Sequence, residues 1–318
     1  MKKRFLALCL LAIFVLVPTM GQAAKYPSKP ITIVVSYSAG GAHDTMARIL
    51  VPHMEQLLGT KVIVKNSSGA SGTIGAAEGA NAKPDGYTLY LLAGGPAITQ
   101  PALRKLPYSS DSFQLISLLY NTPHMIMAAK GGKYKNLDDF IKAAKENPGQ
   151  ILCASTGVGS TPHLNIIAFQ KAYGIELKHM PERSGAEAMK NLAGGTLDAV
   201  LDNEAYVPRF DTLGLLRFWP TRSTDKAMDY IPSTKEFGKE VYFSAWTGMV
   251  APKGTPADVI KKLDETFAQI MKLPKVQEQA IQNGLYAEYL NTADFQKLYN
   301  NEIPKIQGLI KEAGLLPK

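Results

Sequence analysis

The stretch ITIVVSYSAGGAHDTMARIL, Ile31 to Leu50, sets a strand pattern, a glycine-centred turn and a helix pattern in immediate succession. Ile31 to Ser36 reads as a buried strand, and Met46, Ile49, Leu50, Met54 and Leu57 recur at helical spacing as an inward stripe. Asp44 stands where a helix N-cap is expected, and Pro52, inside the stripe, is expected to kink or shorten the helix. Gly40 and Gly41 permit unusual backbone angles, while Ser38, Ala39 and Ala42 leave the space around the turn open. Peptide N–H groups at the positive end of a helix then face outward, which is the makings of a small-anion site. An ordinary tight turn has the same composition, so this loop by itself leaves both readings open.

The chain begins with Lys2, Lys3 and Arg4, continues through an apolar run from Phe5 to Val17 and reaches the small residues Ala23 and Ala24. That is the pattern of an export signal cleaved near Ala23/Ala24, with an apolar run too short to cross a bilayer. Residues 1–24 are therefore expected to be a signal peptide and the protein to work in the periplasm. Removing the three leader cations lowers the formal net charge from +8 to +5, with no dense Lys/Arg block of the kind nucleic-acid binding requires. Only Cys153 remains outside the leader, in the apolar segment ILCAS, so stability has to come from packing rather than an internal disulfide.

The remaining pattern is a succession of α/β units. Lys61 to Lys65 and Tyr87 to Leu92 read as strands, with Thr73 placed to cap a short helix through Ala82. After Leu119 and Tyr120, further strands are expected at Met125 to Ala129 and at Gln150 to Ala154, with a helix from Leu137 to Glu146. The loop Ser155 to Ser160 then leads into a helix from Thr161 to Ala172, repeating the strand, glycine turn, helix order of the N-terminal segment. Ser184 and Glu187 have capping-box spacing for a helix ending near Gly194 and Gly195. Leu197 to Leu201 is the strand that carries Asp202, Asn203 and Glu204 at its end; Leu215 to Phe218 and Val241 to Ser244 are weaker strand patterns. Helices follow over Pro256 to Met271, Pro274 to Gln282 and Thr292 to Lys311, the first with Thr255 as its expected cap.

Candidate binding groups are the two glycine loops, Tyr37 to His43 and Thr156 to Thr161, and Asp202 past a strand end, a position favoured for ligands in α/β folds. Nucleotide signatures fail: Pro162 stands where a dinucleotide fingerprint needs its last glycine, and no glycine loop leads into a Lys-Ser/Thr pair. No G-x-S-x-G elbow supports a nucleophilic serine. His43, His53, His124, His163 and His179 form no compact metal-ligand spacing, and no metal, nucleotide or redox cofactor is expected. His43 is the histidine best placed for ligand contact, while Tyr37, Tyr120 and Trp246 serve equally as cleft walls or as core. Glu204 is as readily structural as functional.

Taken together, several segments resemble the extracytoplasmic solute receptors of the tripartite tricarboxylate transporter system, the TctC-like or Bug family. The resemblance rests on Tyr26-Pro27, the strand to Ser36, Tyr37, Gly40-Gly41, Asp44 and Ala47-Arg48, then Gly69, Gly72 to Gly75 and Pro84 to Thr88. It continues through Ser155 to His163, Gly194-Gly195, Asp202-Asn203 and Ala251 to Pro256. It implies a two-lobed α/β fold of the periplasmic-binding-protein, Venus flytrap type II kind, with a ligand cleft between lobes. Lobe 1 would comprise residues 25–126 plus 246–318, and lobe 2 residues 127–245. It also implies capture of a small mono- or dicarboxylate by Tyr37, Ser38, Ala39, Gly40, Gly41, Ala42 and His43 from one side, and by Thr156, Gly157, Val158, Gly159, Ser160 and Thr161 from the other, with Asp202 contributing. Delivery to membrane permease subunits would follow, or reading by a sensor kinase. A secreted α/β enzyme acting on a carboxylated metabolite, which would need a poised acid, base or nucleophile with Asp202 and His43 the residues to test for it, is the competing expectation.

Overall fold

The computed structural model describes residues 26–204, 206–218, 231–236, 245–312 and 314–316. The leader and the strand pattern at Val241 to Ser244 lie outside the described residues. In chain order the first elements are β1 (Ile31–Val35), α1 (Ala42–Leu58), β2 (Val62–Asn66), α2 (Thr73–Ala80), β3 (Thr88–Ala93), α3 (Gln100–Leu103) and β4 (Phe113–Asn121). Next come β5 (His124–Ala129), α4 (Leu137–Glu146), β6 (Leu152–Ser155), α5 (Thr161–Tyr173), β7 (Lys178–Pro181), α6 (Gly185–Ala193), β8 (Ala199–Asn203), α7 (Tyr206–Arg209) and β9 (Thr212–Phe218). The chain closes with β10 (Trp246–Pro252), α8 (Ala257–Ile270), α9 (Pro274–Gln282), β11 (Tyr286–Leu290) and α10 (Thr292–Glu312).

Two mixed sheets result. The first runs β11-β4-β10-β3-β1-β2 and the second β7-β6-β8-β5-β9. In the first, β1 lies parallel between β2 and β3, which is why its ITIVV sequence is apolar with hardly a break. One face packs Ile33, Met249 and Leu119 against Met46, Leu50 and Met54 of α1 and Leu263 and Phe267 of α8. The other packs Tyr90, Leu92 and Trp246 against Phe295, Tyr299 and Ile306 of α10. The second sheet is covered likewise, by Phe140 and Phe169 on one side and by Met189 and Leu192 of α6 on the other. β4 and β5 belong to different sheets, so the chain crosses between domains at Thr122 and Pro123, and β10 returns it to the first sheet.

Several local expectations are corrected. Asp44 is not the cap of α1: Gly41 holds that position without a side-chain bond, and Asp44 lies in the first turn with its carboxylate reaching back to the loop. Pro52 does not break α1, because it and Arg48, whose carbonyl loses its partner, are both on the exposed face where water replaces the missing bond. Gly72, not Thr73, is at the N-cap of α2, and Thr73 donates instead to the Ala70 carbonyl. Pro256 is the N-cap of α8 and the Thr255 hydroxyl turns back onto the Pro252 carbonyl. Gly94-Gly95-Pro96, whose composition alone would suit a turn, instead opens a buried π-helical segment, Gly95–Thr99, running into α3. Strands β4, β7, β10 and β11 had no expectation at all.

Candidate functional site

The site is a cavity of about 870 Å³ whose wall is drawn from both domains. All of Tyr37 to His43 line it, together with Thr156, Gly157, Ser160, Thr161 and Asp202. Val158 and Gly159 are not part of the wall; they pack against the first domain, where Gln100 donates from Nε2 to the Val158 carbonyl at 3.0 Å and Leu103 lies beside Gly159.

Helix N-termini dominate the wall. α1 opens at Ala42 and His43, α2 at Gly72, α5 at Ser160 and Thr161, and α6 at Ser184 and Gly185, all of them wall residues. The first N–H groups of a helix have no partner within it, and each such end carries a partial positive charge. Four of them around one cavity make an environment for an anion, with no buried Lys or Arg among the described wall residues. The α1 and α5 ends were legible as glycine loops; the α6 end, and the loop before α2, were not assigned to the site. In that loop Ala70 and Ser71 both adopt left-handed backbone (φ +49 and +56), a strained conformation that non-glycine residues hold where surrounding structure enforces it.

The β1–α1 loop is rigidified from behind. Gly40, at φ +79, donates its N–H to Asp44 Oδ2 (2.9 Å), which also receives Arg48 Nε (2.9 Å), while Asn66 Nδ2 reaches Asp44 Oδ1 (3.1 Å) and the Tyr37 carbonyl (3.0 Å). Burial alone would raise the Asp44 carboxyl; the hydrogen bonds from Arg48, Gly40 and Asn66 and the Arg48 charge outweigh it and hold the group below the ordinary carboxylate range. Asp44 is thus occupied in shaping the loop.

The histidines of the wall are neutral. Burial pushes His43 down to about 3, and burial, with a smaller contribution from His43, does the same to His124. His43 Nε2 lies 3.2 Å from Thr247 Oγ1 and its ring sits 4.4 Å from that of Tyr37. Asp202 is the reverse case: burial pushes its carboxyl up to about 6, only partly offset by the Asn203 N–H on Oδ1 at 2.7 Å. Trp246 lines the cavity and Tyr120 does not. Glu204 stands outside it, in a buried ion pair with Arg217 and accepting from Tyr286 Oη at 2.8 Å.

The profile of the Tripartite tricarboxylate transporter family receptor matches residues 46–315. The chain belongs to that receptor family. A relative from Cupriavidus necator, the UPF0065 protein in the gbd 5' region, is 30% identical over 302 residues, covering 94% of this chain and 91% of its own. The periplasmic binding protein BugD superposes with a TM-score of 0.82 at 31% identity, over 92% of this chain and all of BugD. MatC from Rhodopseudomonas palustris, solved with bound malate, superposes at 0.81 and 25% identity, over 90% of this chain and all of MatC. The tricarboxylate-transporter receptor assignment makes the chain a periplasmic solute-binding protein with a type II binding-protein fold, and not an enzyme. The receptor does bring Ser155 Oγ within 2.7 Å of His179 Nε2, the separation of a nucleophile and its base. Ser155 is fully buried and outside the cavity wall, and His179 stacks on His163, whose Nδ1 accepts the Gly159 N–H at 3.0 Å. The cluster shapes the second glycine loop.

Proposed function

We propose that this receptor captures a small mono- or dicarboxylate between its two lobes and hands it to the membrane subunits of a tripartite tricarboxylate-type permease. The observation that carries the reading is the convergence of the α1 and α5 N-termini, one from each domain, on a single cavity. Residues 37–43 supply the first set of donors and residues 156, 157, 160 and 161 the second. A carboxylate held by both sets at once stabilises the closed arrangement by the difference in its affinity for closed and open forms. The malate bound by MatC supports this ligand class. The expected lobe division, residues 25–126 plus 246–318 and residues 127–245, moves at its first boundary to the Thr122–Pro123 crossover, because His124 to Ile126 pair with β8 and β9 of the second sheet, and the mature chain begins after cleavage near Ala23/Ala24.

The test is transport in cells. A strain lacking this chain should lose uptake of the carboxylate that the purified protein binds, and regain it when the chain is restored with its leader. Unchanged uptake in the deletion strain, with tight binding in vitro, would point to sensing rather than delivery. Mass spectrometry of the periplasmic protein would read the cleavage site directly.

A further inference from the structure

The ligand class narrows further, on the footing of the carboxylate-receptor reading above. Asp202 is only 7% exposed, and its Oδ2 has no hydrogen-bond partner among the described residues. It faces Gly185 and Tyr206, both wall residues; a Cβ on Gly185 would collide with Oδ2, so glycine is what lets the carboxylate stand there. Leaving an acceptor buried and unbonded is costly, and such groups in folded proteins call for a partner.

The rest of the wall says what that partner is. Among the described residues its only other ionised side chains are Glu182, which accepts from Asn191 Nδ2 at 2.9 Å, and Arg183, which is exposed. Trp246 Nε1 and Thr122 Oγ1 are likewise buried and unpartnered, and both are wall residues able to donate. The cavity therefore joins several donor ends for an anion to one isolated acceptor that carries charge. A plain dianion entering it meets the Asp202 carboxylate with nothing to offer Oδ2, whereas a carboxylate that also carries an ammonium group satisfies both ends.

We propose that the cleft selects amino-group-bearing carboxylates, with the ligand carboxylate at the α1 and α5 N-termini and its ammonium on Asp202 Oδ2. Asp202 is then a specificity determinant for the ligand and has no catalytic task. The negative charge that destabilises the empty protein becomes the recognition element of the loaded one.

The experiment is calorimetric titration of the ligand-stripped protein with matched pairs that differ only in the amino group: glutamate and glutarate, aspartate and succinate, leucine and 4-methylpentanoate, phenylalanine and 3-phenylpropanoate. In the wild type the amino member of whichever pair binds should be about tenfold to a hundredfold tighter, the range of a charge-assisted hydrogen bond. In Asp202→Asn that preference should shrink to about threefold or less. A desamino member binding as tightly as its partner overturns the proposal and leaves the carboxylate-receptor reading standing, and a preference that survives Asp202→Asn overturns the role of Asp202. If no carboxylate of any kind binds the wild type, the broader reading fails and this one falls with it. The wild-type comparison needs no variant, so the proposal remains testable even if Asp202→Asn folds poorly.

Discussion

Gln100, a fully buried side chain of the first domain, donates from Nε2 to the carbonyl of Val158 in the second at 3.0 Å. Around this bond the rims fit closely: a side chain on Gly159 would strike Leu103 and Gln100, and one on Gly157 would lie 2.8 Å from Ser71 Oγ. Two glycines that read in the sequence as an anion loop thus also serve as a contact surface between domains.

Removing the latch should favour the open form. Gln100→Ala is expected to weaken ligand affinity by about 3- to 10-fold, the effect of one hydrogen bond of about 1 kcal/mol, with little change in the unfolding midpoint of the ligand-free protein. Gly159→Ala should be at least as damaging, because its φ of +73 and its contacts both resist a side chain. Titration calorimetry with small-angle scattering reads both effects; equal affinity and equal compaction on ligand addition would contradict them.

Asp44 offers a test of loop rigidity. Asp44→Ala leaves the Gly40 N–H without its acceptor and the Asn66 amide with only the Tyr37 carbonyl, and should destabilise the fold by about 1–3 kcal/mol in denaturant titration. The binding loss should exceed what Arg48→Ala produces, since Arg48 reaches the loop only through Asp44.

The pH dependence follows from the neutral histidines. His43, His124 and His163 are pushed down to about 3 and His179 to about 4, all by burial first. Between their unfolded pKa near 6.5 and those values, the unfolded chain takes up protons that the folded one refuses. Stability should therefore fall as pH drops from about 6.5 toward 4, by up to about 1.4 kcal/mol per pH unit for each of the deeply set His43 and His124 and by less for His163 and His179, which solvent partly screens. Melting temperatures across pH 7 to 4 check this; a flat profile would mean that the rings titrate normally.

Asp202 has the opposite sign. Its carboxyl, raised to about 6, stays protonated in the fold at pH values where the unfolded chain has ionised it, so its contribution worsens as pH rises through that range. Asp202→Asn should melt higher than wild type at pH 7, by an amount of about 2–3 kcal/mol, with the difference vanishing near pH 4. A lower melting point at pH 7 would show that the carboxylate has found a stabilising partner.

Legibility from sequence followed how local the cause was. The β1–α1 unit, the α4 and α9 bounds and the Ser184 cap were readable because strand apolarity, helical spacing and cap residues act over a few neighbours. β7 and β11 were not, because KHMP and YAEYL are partly exposed strands at sheet edges, whose pairing partners lie far away in sequence. The π-helical turn at Gly95 hid behind two glycines and a proline that locally signal a turn; tertiary burial against Tyr108 and Trp246 overrides them. Of the residues expected at the site, Tyr37 to His43, Thr156, Gly157, Ser160, Thr161 and Asp202 line the cavity and Val158 and Gly159 do not; the α6 N-terminus, with Arg183 and Gly185, was not legible, since only the fold carries Ser184 to the cavity.

The decisive measurement is titration of the mature, ligand-stripped protein with mono-, di- and tricarboxylates and amino acids, followed by recovery of the ligand and its analysis by NMR. Saturable 1:1 binding of a small carboxylate, recovered chemically unchanged and accompanied by compaction of the protein, is the expected result. Absence of binding across the carboxylates, or conversion of the ligand to a product, would contradict capture between the α1 and α5 helix ends.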